Sequence, residues 1–129
     1  WRDLGGFDPR FWMYGEEADL CLRARAAGWR PVVTPDATIM HLVGASSASH
    51  SGKLVKVAKA RTSLMRRHWP RAWRPWIAAT NWLWIGLRLT AAEALAGAPG
   101  GRRRRDRWRE VWAARGEWMA GYDLEETGA

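Results

Sequence analysis

The sequence predicts an α/β fold for residues 1–50, followed by a basic, tryptophan-rich helical extension over residues 51–129. Residues 1–50 alternate loop, helix and short apolar runs typical of strands, and they carry five arginines against six acids. Residues 51–129 carry sixteen basic residues against seven acids, and most of the eleven tryptophans lie there. We therefore expect two domains with different surface chemistry.

The first predicted helix runs from Glu16 to Ala27, where apolar residues recur at helical spacing. Gly28 follows it, at a position where glycine commonly ends a helix. Three acids (Glu16, Glu17 and Asp19) lie at its start, where the helix dipole and free N–H groups favour carboxylates. Carboxylates at a loop-to-helix edge, close to aromatic rings, also suit general-base chemistry on a sugar hydroxyl. The structural and catalytic interpretations both stay open.

Two short strands are predicted after this helix. Residues 31–34 form the first, Pro35 and Asp36 turn the chain, and residues 38–40 form the second, which ends at His41. In an open α/β sheet, helix starts and strand ends share the edge where ligands bind. We therefore expect Glu17 and His41 to meet there. A histidine after an apolar strand is also often structural, and one imidazole needs further ligands to hold a divalent ion.

The second part is predicted to be helical. A loop over residues 44–52 leads into a helix from Lys53 to Trp69, which Pro70 ends. Residues 76–87 carry no charge, but twelve residues are too few to span a bilayer, which takes about 20. A glycine-rich break over residues 97–101 precedes one last amphipathic helix.

Three interpretations compete for this basic part. In the first, basic side chains of the Lys53–Trp69 helix, among them Lys59 and Arg61, approach a diphosphate. In the second, residues 76–87 and the last helix lie on an anionic membrane surface, with tryptophan at the headgroup level. In the third, the apolar stripe of the last helix packs on the protein's own sheet; it comprises Trp108, Val111, Trp112 and Met119.

A nucleic-acid partner is a further alternative, because basic charge with interleaved aromatics is typical of single-strand binders. The net acidic first fifty residues and the helical position of the aromatics argue against it. Cys21 is the single cysteine, which excludes an internal disulfide, and its apolar neighbours predict a buried position.

Ordered motifs in the first part point to a family. Residues 4–8 (Leu-Gly-Gly-Phe-Asp) and the stretch 11–23 are followed by 28–30 (Gly-Trp-Arg), 35–37 (Pro-Asp-Ala) and His41. In this order they resemble the C-terminal half of family 2 glycosyltransferases, with rhamnosyltransferase-like and galactofuranosyltransferase-like enzymes as the nearest types. The resemblance covers the first fifty residues best. It implies the C-terminal portion of a GT-A (nucleotide-sugar transferase) fold.

The resemblance also implies roles for individual residues. Glu17 stands where the family keeps its catalytic base, usually an aspartate, which deprotonates the acceptor hydroxyl for an inverting attack. Glu16 would bind the acceptor sugar. Trp12 would stack on a sugar ring, with a place in the core as the alternative, and Asp19 would either bind the sugar or only complete the start of the helix. His41 matches the histidine that ligates a divalent metal, Mg or Mn, beside the nucleotide diphosphate. The longer side chain of Glu17 is a departure from the family pattern.

The implied activity moves a sugar, with rhamnose as a candidate, from a nucleotide sugar to a cell-surface or lipid-linked glycan. The implied location is cytoplasmic, peripheral at the inner face of a bacterial plasma membrane. Family members also use an Asp-x-Asp motif for the metal, and this sequence contains none. We therefore expect the chain to be part of a longer enzyme and to be inactive alone. A non-catalytic membrane-peripheral module is the alternative.

Overall fold

The structure is a computed structural model that describes residues 1–40 and 49–123. Short 3₁₀ turns at Arg2–Leu4 and Arg71–Trp73 accompany five α-helices in this part of the chain. Helices α2 to α5 pack on one another, and α1 lies against α2. The helices are α1 (Glu16–Ala26), α2 (His50–His68), α3 (Arg74–Ala94), α4 (Gly101–Ala113) and α5 (Arg115–Ala120).

The predicted α/β fold is wrong, because residues 1–40 and 49–123 contain no strand and therefore no portion of a GT-A sheet. Both predicted strands, over residues 31–34 and 38–40, are irregular and exposed. Val33 is fully exposed, and Ile39 is 86% exposed. β-branched residues favour a strand when it packs within a sheet. The described residues offer these segments no neighbouring strand with which to pair.

Helix α1 confirms the first predicted helix to within one residue at its end. The backbone of Gly28 adopts the left-handed conformation (φ 85°), and the next N–H, of Trp29, donates to the Ala24 carbonyl at 2.9 Å. The prediction that Cys21 is buried is wrong, because it lies on the exposed side of the helix. Among the residues of α1, only Asp19 and Ala24 are buried.

Helix α2 begins earlier than predicted. The Ser49 hydroxyl accepts a hydrogen bond from the Gly52 N–H at 3.1 Å, and this N-cap starts the helix at His50. The predicted loop over residues 44–52 is thus wrong for its last three residues, and its first five lie outside the described residues. The helix ends at His68, before Pro70, as predicted.

The single last helix that the sequence predicts is divided into α4 and α5 at Ala114. Beyond this break, the buried Trp118 indole donates to the Val111 carbonyl at 2.9 Å. Trp108 is buried as well, and Trp112 and Met119 are half-buried against the same core. These residues therefore pack on the protein's own helices, although not on a sheet.

A buried polar network fixes α5 to the bundle. The Thr62 hydroxyl lies 2.8 Å from the Trp118 carbonyl, to which it donates, and it accepts from the Asn81 amide at 2.7 Å. The Arg66 guanidinium donates to the Met119 carbonyl at 2.8 Å, so a basic side chain satisfies the end of the helix. Side chains of α2 and α3 thus hold a helix of only six residues.

Helix α3 is apolar on both sides. Ile77 and Ile85 are buried in the bundle. The opposite side, which we call the α3 outer face, presents Trp76, Leu83 and Leu87, each at least 60% exposed. Among the described residues, no helix combines the length and apolar character needed to cross a membrane.

Candidate functional site at the start of helix α1

Two consecutive left-handed residues place the acids of α1. Tyr14 has φ 67° and Gly15 has φ 92°, and the helix begins at the next residue, Glu16. A Cβ at Gly15 would lie 3.2 Å from the Ala60 Cβ and from the Phe11 ring. Glycine is therefore favoured at this position by the backbone conformation, and the close neighbours leave little room for a side chain. Tyr14 is not a glycine, and a positive φ at such a residue costs about 1–3 kcal/mol. Backbone strain of this kind is common at functional sites.

Glu17 is exposed, and its carboxylate makes no hydrogen bond or ion pair with any residue in the described ranges. Trp12, five residues earlier, is 74% exposed. An unengaged carboxylate is open to an incoming hydroxyl, and an open indole offers an apolar face to a sugar ring. Both features agree with the predicted roles, which nevertheless stay predictions.

Glu16 lies in a different environment. Its side chain is half-buried, and its Oε2 atom is buried without a hydrogen-bond partner among the described residues. The Tyr122 phenol lies close by and donates to the Met13 carbonyl. Burial raises the pKa of Tyr122, and the negative charges of Glu16 and Glu117 raise this pKa further. The Oε2 atom of Glu16 is therefore a buried acceptor that lacks a donor among the described residues.

Asp19 is fully buried at the centre of an ionic cluster. Its Oδ2 atom accepts from Arg23 at 2.7 Å, and its Oδ1 atom lies 2.8 Å from His68 Nε2 and 3.1 Å from Arg67 Nε. Three side chains thus engage the carboxylate. Its predicted contact with the acceptor sugar stays a prediction, and the observed contacts support a role in positioning α1.

Asp8 extends this cluster into the N-terminal loop. It pairs with Arg10 at 2.8 Å and also contacts Arg67. Hydrogen bonds from Arg10 hold the pKa of the Asp8 carboxyl well below its ordinary value, and Arg67 lowers it further. Because the folded state has the lower pKa, Asp8 stabilises the fold above the ordinary carboxyl pKa of about 4. That contribution is lost as the pH falls below it.

The two candidate diphosphate ligands lie on different sides of α2. The Lys59 ammonium lies 5.0 Å from the centre of the Tyr122 ring and 3.9 Å from Glu117. Arg61 instead lies over the Trp84 ring, 6.0 Å from its centre. The structure therefore brings Lys59, and not Arg61, toward the side of α2 where Tyr122 lies close to Glu16.

His41 lies outside the described residues, so its predicted meeting with Glu17 stays a prediction. Over residues 1–40 and 49–123, no group of three His, Cys, Asp or Glu side chains could hold a metal ion. The acids at the start of α1 do not by themselves form a metal site.

Sequence reasoning missed the partners that hold this site together. Arg67, His68 and Tyr122 contact it from positions 48–109 residues away along the chain. Basic residues near the end of α2 were visible in the sequence, but nothing local indicated that they pair with Asp19. The polar C-terminal end gave no signal that Tyr122 packs on the start of α1.

Part of the chain is similar to a known enzyme. Over 51 residues, it is 43% identical to an N-acetylglucosaminyl-diphospho-decaprenol L-rhamnosyltransferase of Mycobacterium tuberculosis, in both strain CDC 1551 / Oshkosh and strain H37Rv. The similarity is to a glycosyltransferase. The match covers 36% of this chain and 17% of each relative, so the chain spans about a sixth of the relatives' length. No family model and no solved structure matches the chain.

Proposed function

We propose that this chain carries the acceptor-side part of a glycosyltransferase. The observation that carries the proposal is the partial similarity to a rhamnosyltransferase. The donor is a nucleotide sugar, with activated rhamnose as the first candidate. The acceptor is a lipid-linked or cell-surface glycan. The open carboxylate at the start of α1 supports a direct role for this segment in the reaction.

In the proposed reaction, Glu17 accepts the proton of an acceptor hydroxyl while the hydroxyl oxygen forms a bond to the anomeric carbon. The bond from that carbon to the donor phosphate breaks, the nucleoside diphosphate leaves, and the configuration inverts. Glu16 accepts a hydrogen bond from the acceptor, and Trp12 stacks on its ring. Asp19 positions the helix start through Arg23, and direct contact with the sugar is its alternative role.

The proposal includes a divalent metal, for which the resemblance implies His41 as a ligand. Such an ion would offset the charge that develops on the leaving diphosphate. Its remaining ligands would have to come from outside the described residues. The roles of Glu16 and Glu17 above do not depend on it.

Glu17→Gln should lower transferase activity by at least about 100-fold, because the amide keeps the shape of the side chain and removes the base. The assay uses the longest natural protein that contains this chain, with a panel of nucleotide sugars and a lipid-linked acceptor. Glu17→Asp is the matched control, and it should retain activity because a carboxylate remains. Full activity in Glu17→Gln would exclude the proposed base.

A position at the inner face of the plasma membrane forms a second part of the proposal. The α3 outer face is apolar, and Arg71 and Arg74 lie beside its N-terminal end. Apolar side chains with arginines at one end fit the interfacial region of an anionic bilayer. Trp82 and Trp84 are less available, because they pack in T-shaped pairs with Trp112 and Trp108 respectively.

Replacing Leu83 and Leu87 together by serine should weaken binding to anionic vesicles by at least about tenfold, since each buried leucine contributes about 1.5–3 kcal/mol. Flotation with phosphatidylglycerol vesicles measures this binding. Serine at Val33 and Ile39, two apolar residues outside α3 that are even more exposed than the leucines, is the control and should have little effect. An equal loss of vesicle binding in both variants would contradict the proposal that the α3 outer face lies on the membrane. Equally strong binding of the unchanged chain to neutral vesicles would contradict it as well.

A further inference from the structure

An open pocket of about 370 Å³ lies where the first turn of α2 meets α4, and no predicted site residue contributes to it. His50 and Ser51 line it from α2. From α4, it is lined by Arg103, Asp106, Arg107 and Glu110, which recur at helical spacing and so share one face. Two guanidinium groups and an imidazole therefore converge on the exposed start of a helix.

The two arginines of this pocket have no other partner among the described residues. Neither Arg103 nor Arg107 makes an ion pair or a hydrogen bond through its side chain within residues 1–40 and 49–123. The Nε atom of Arg107 is buried and has no acceptor there. A buried guanidinium N–H without an acceptor is costly, so the described residues leave the hydrogen-bonding capacity of Arg107 unsatisfied beside the pocket that it lines.

The acids of the pocket do not cancel this charge. The Asp106 carboxylate is already bound by Arg105, whose Nε and Nη2 atoms donate to it at 3.0 and 2.9 Å. Glu110 is left as a negative side chain beside Arg103 and Arg107. The first turn of α2 adds the positive end of the helix dipole and N–H groups that have no partner within the helix. The balance favours a compact anion, such as a phosphate or a diphosphate, over a long polyanion.

We propose that this pocket binds a phosphate or diphosphate group, with Arg103 and Arg107 as its principal ligands and His50 as a further donor. Planar guanidinium groups bind phosphate oxygens through paired N–H donors, and this geometry suits a tetrahedral anion. The group belongs either to a soluble phosphate compound or to a lipid headgroup. The proposal does not rest on the transferase activity, because it uses none of the residues at the start of α1.

The test compares two double variants of the 129-residue chain in titrations with pyrophosphate. Arg103→Gln with Arg107→Gln removes the two ligands. Arg102→Gln with Arg104→Gln removes the same charge from exposed positions of the same helix. The first variant should bind pyrophosphate at least about tenfold more weakly than the unchanged chain, and the control should differ by less than about twofold.

A second arm separates the two sources of the group. Binding to vesicles that contain phosphatidic acid is measured for the same variants. A selective loss in the Arg103 and Arg107 variant would assign a lipid phosphate to the pocket, and unchanged vesicle binding with weakened pyrophosphate binding would assign a soluble one. Equal losses in both variants, or no loss of either kind of binding, would overturn the proposal.

Discussion

Asp19→Ala is expected to lower the free energy of unfolding by about 3–5 kcal/mol. The substitution removes the one carboxylate that Arg23, Arg67 and His68 share. Arg67 would still pair with Asp8. The Arg23 guanidinium would lose its carboxylate partner and keep only backbone carbonyl acceptors, among them the Gly6 carbonyl at 2.7 Å. Removing one partner of a buried ion pair lowers stability more than replacing both partners, because the remaining charge stays buried without compensation.

Urea denaturation of the 129-residue chain measures this change in stability. Asp19→Asn separates charge from shape, because the amide keeps the volume and one acceptor; we expect it to be destabilising, but less so than alanine. Asp3→Ala is the control, since Asp3 is an exposed acid in the same N-terminal region, and a change within about 0.5 kcal/mol is expected. If Asp19→Ala behaves like this control, the ionic cluster does not stabilise the fold.

Trp118→Ala is expected to have a similarly large effect on stability, about 3–5 kcal/mol. Trp118 is fully buried, and it is the largest such side chain in the described part of the protein. Its removal leaves a cavity in the core cluster that also contains Val111 and Ile85, and it removes the donor to the Val111 carbonyl. Because α5 has only six residues, it has little stability of its own once this anchor is lost.

Thermal and urea unfolding of Trp118→Ala and Trp118→Phe test this expectation. Phenylalanine keeps much of the apolar volume but loses the indole N–H, so it should cost less than alanine. Trp12→Ala provides the matched control, because the same side chain is removed from a position that is 74% exposed. Equal stability of Trp12→Ala and Trp118→Ala would show that the core does not depend on Trp118.

Local patterns in the sequence predicted the helices better than any other feature. The spacing of apolar residues and Gly28 defined α1 to within one residue, and Pro70 correctly indicated the end of α2. The start of α2 was missed because a single hydroxyl, that of Ser49, caps it. Such a cap is also a local signal, and it was hidden within a stretch rich in serine and glycine.

Features that depend on distant residues could not be predicted in the same way. The valines at 32 and 33 have strand propensity, but a strand needs a partner, and pairing is a property of the whole fold. The site shows the same limit. The acids at the start of α1 were visible in sequence, whereas the burial of Asp19 depends on Arg67 and His68 at the far end of α2.

The way in which α1 is attached has a consequence for local unfolding. Helix α1 buries only Asp19 and Ala24, so much of its attachment to α2 comes from charges rather than from apolar area. Segments with little buried apolar surface open at a lower free energy than the core. We therefore expect the amide hydrogens of α1 to exchange faster than those of α2 to α5. Protonation of Asp8 at low pH would favour that opening.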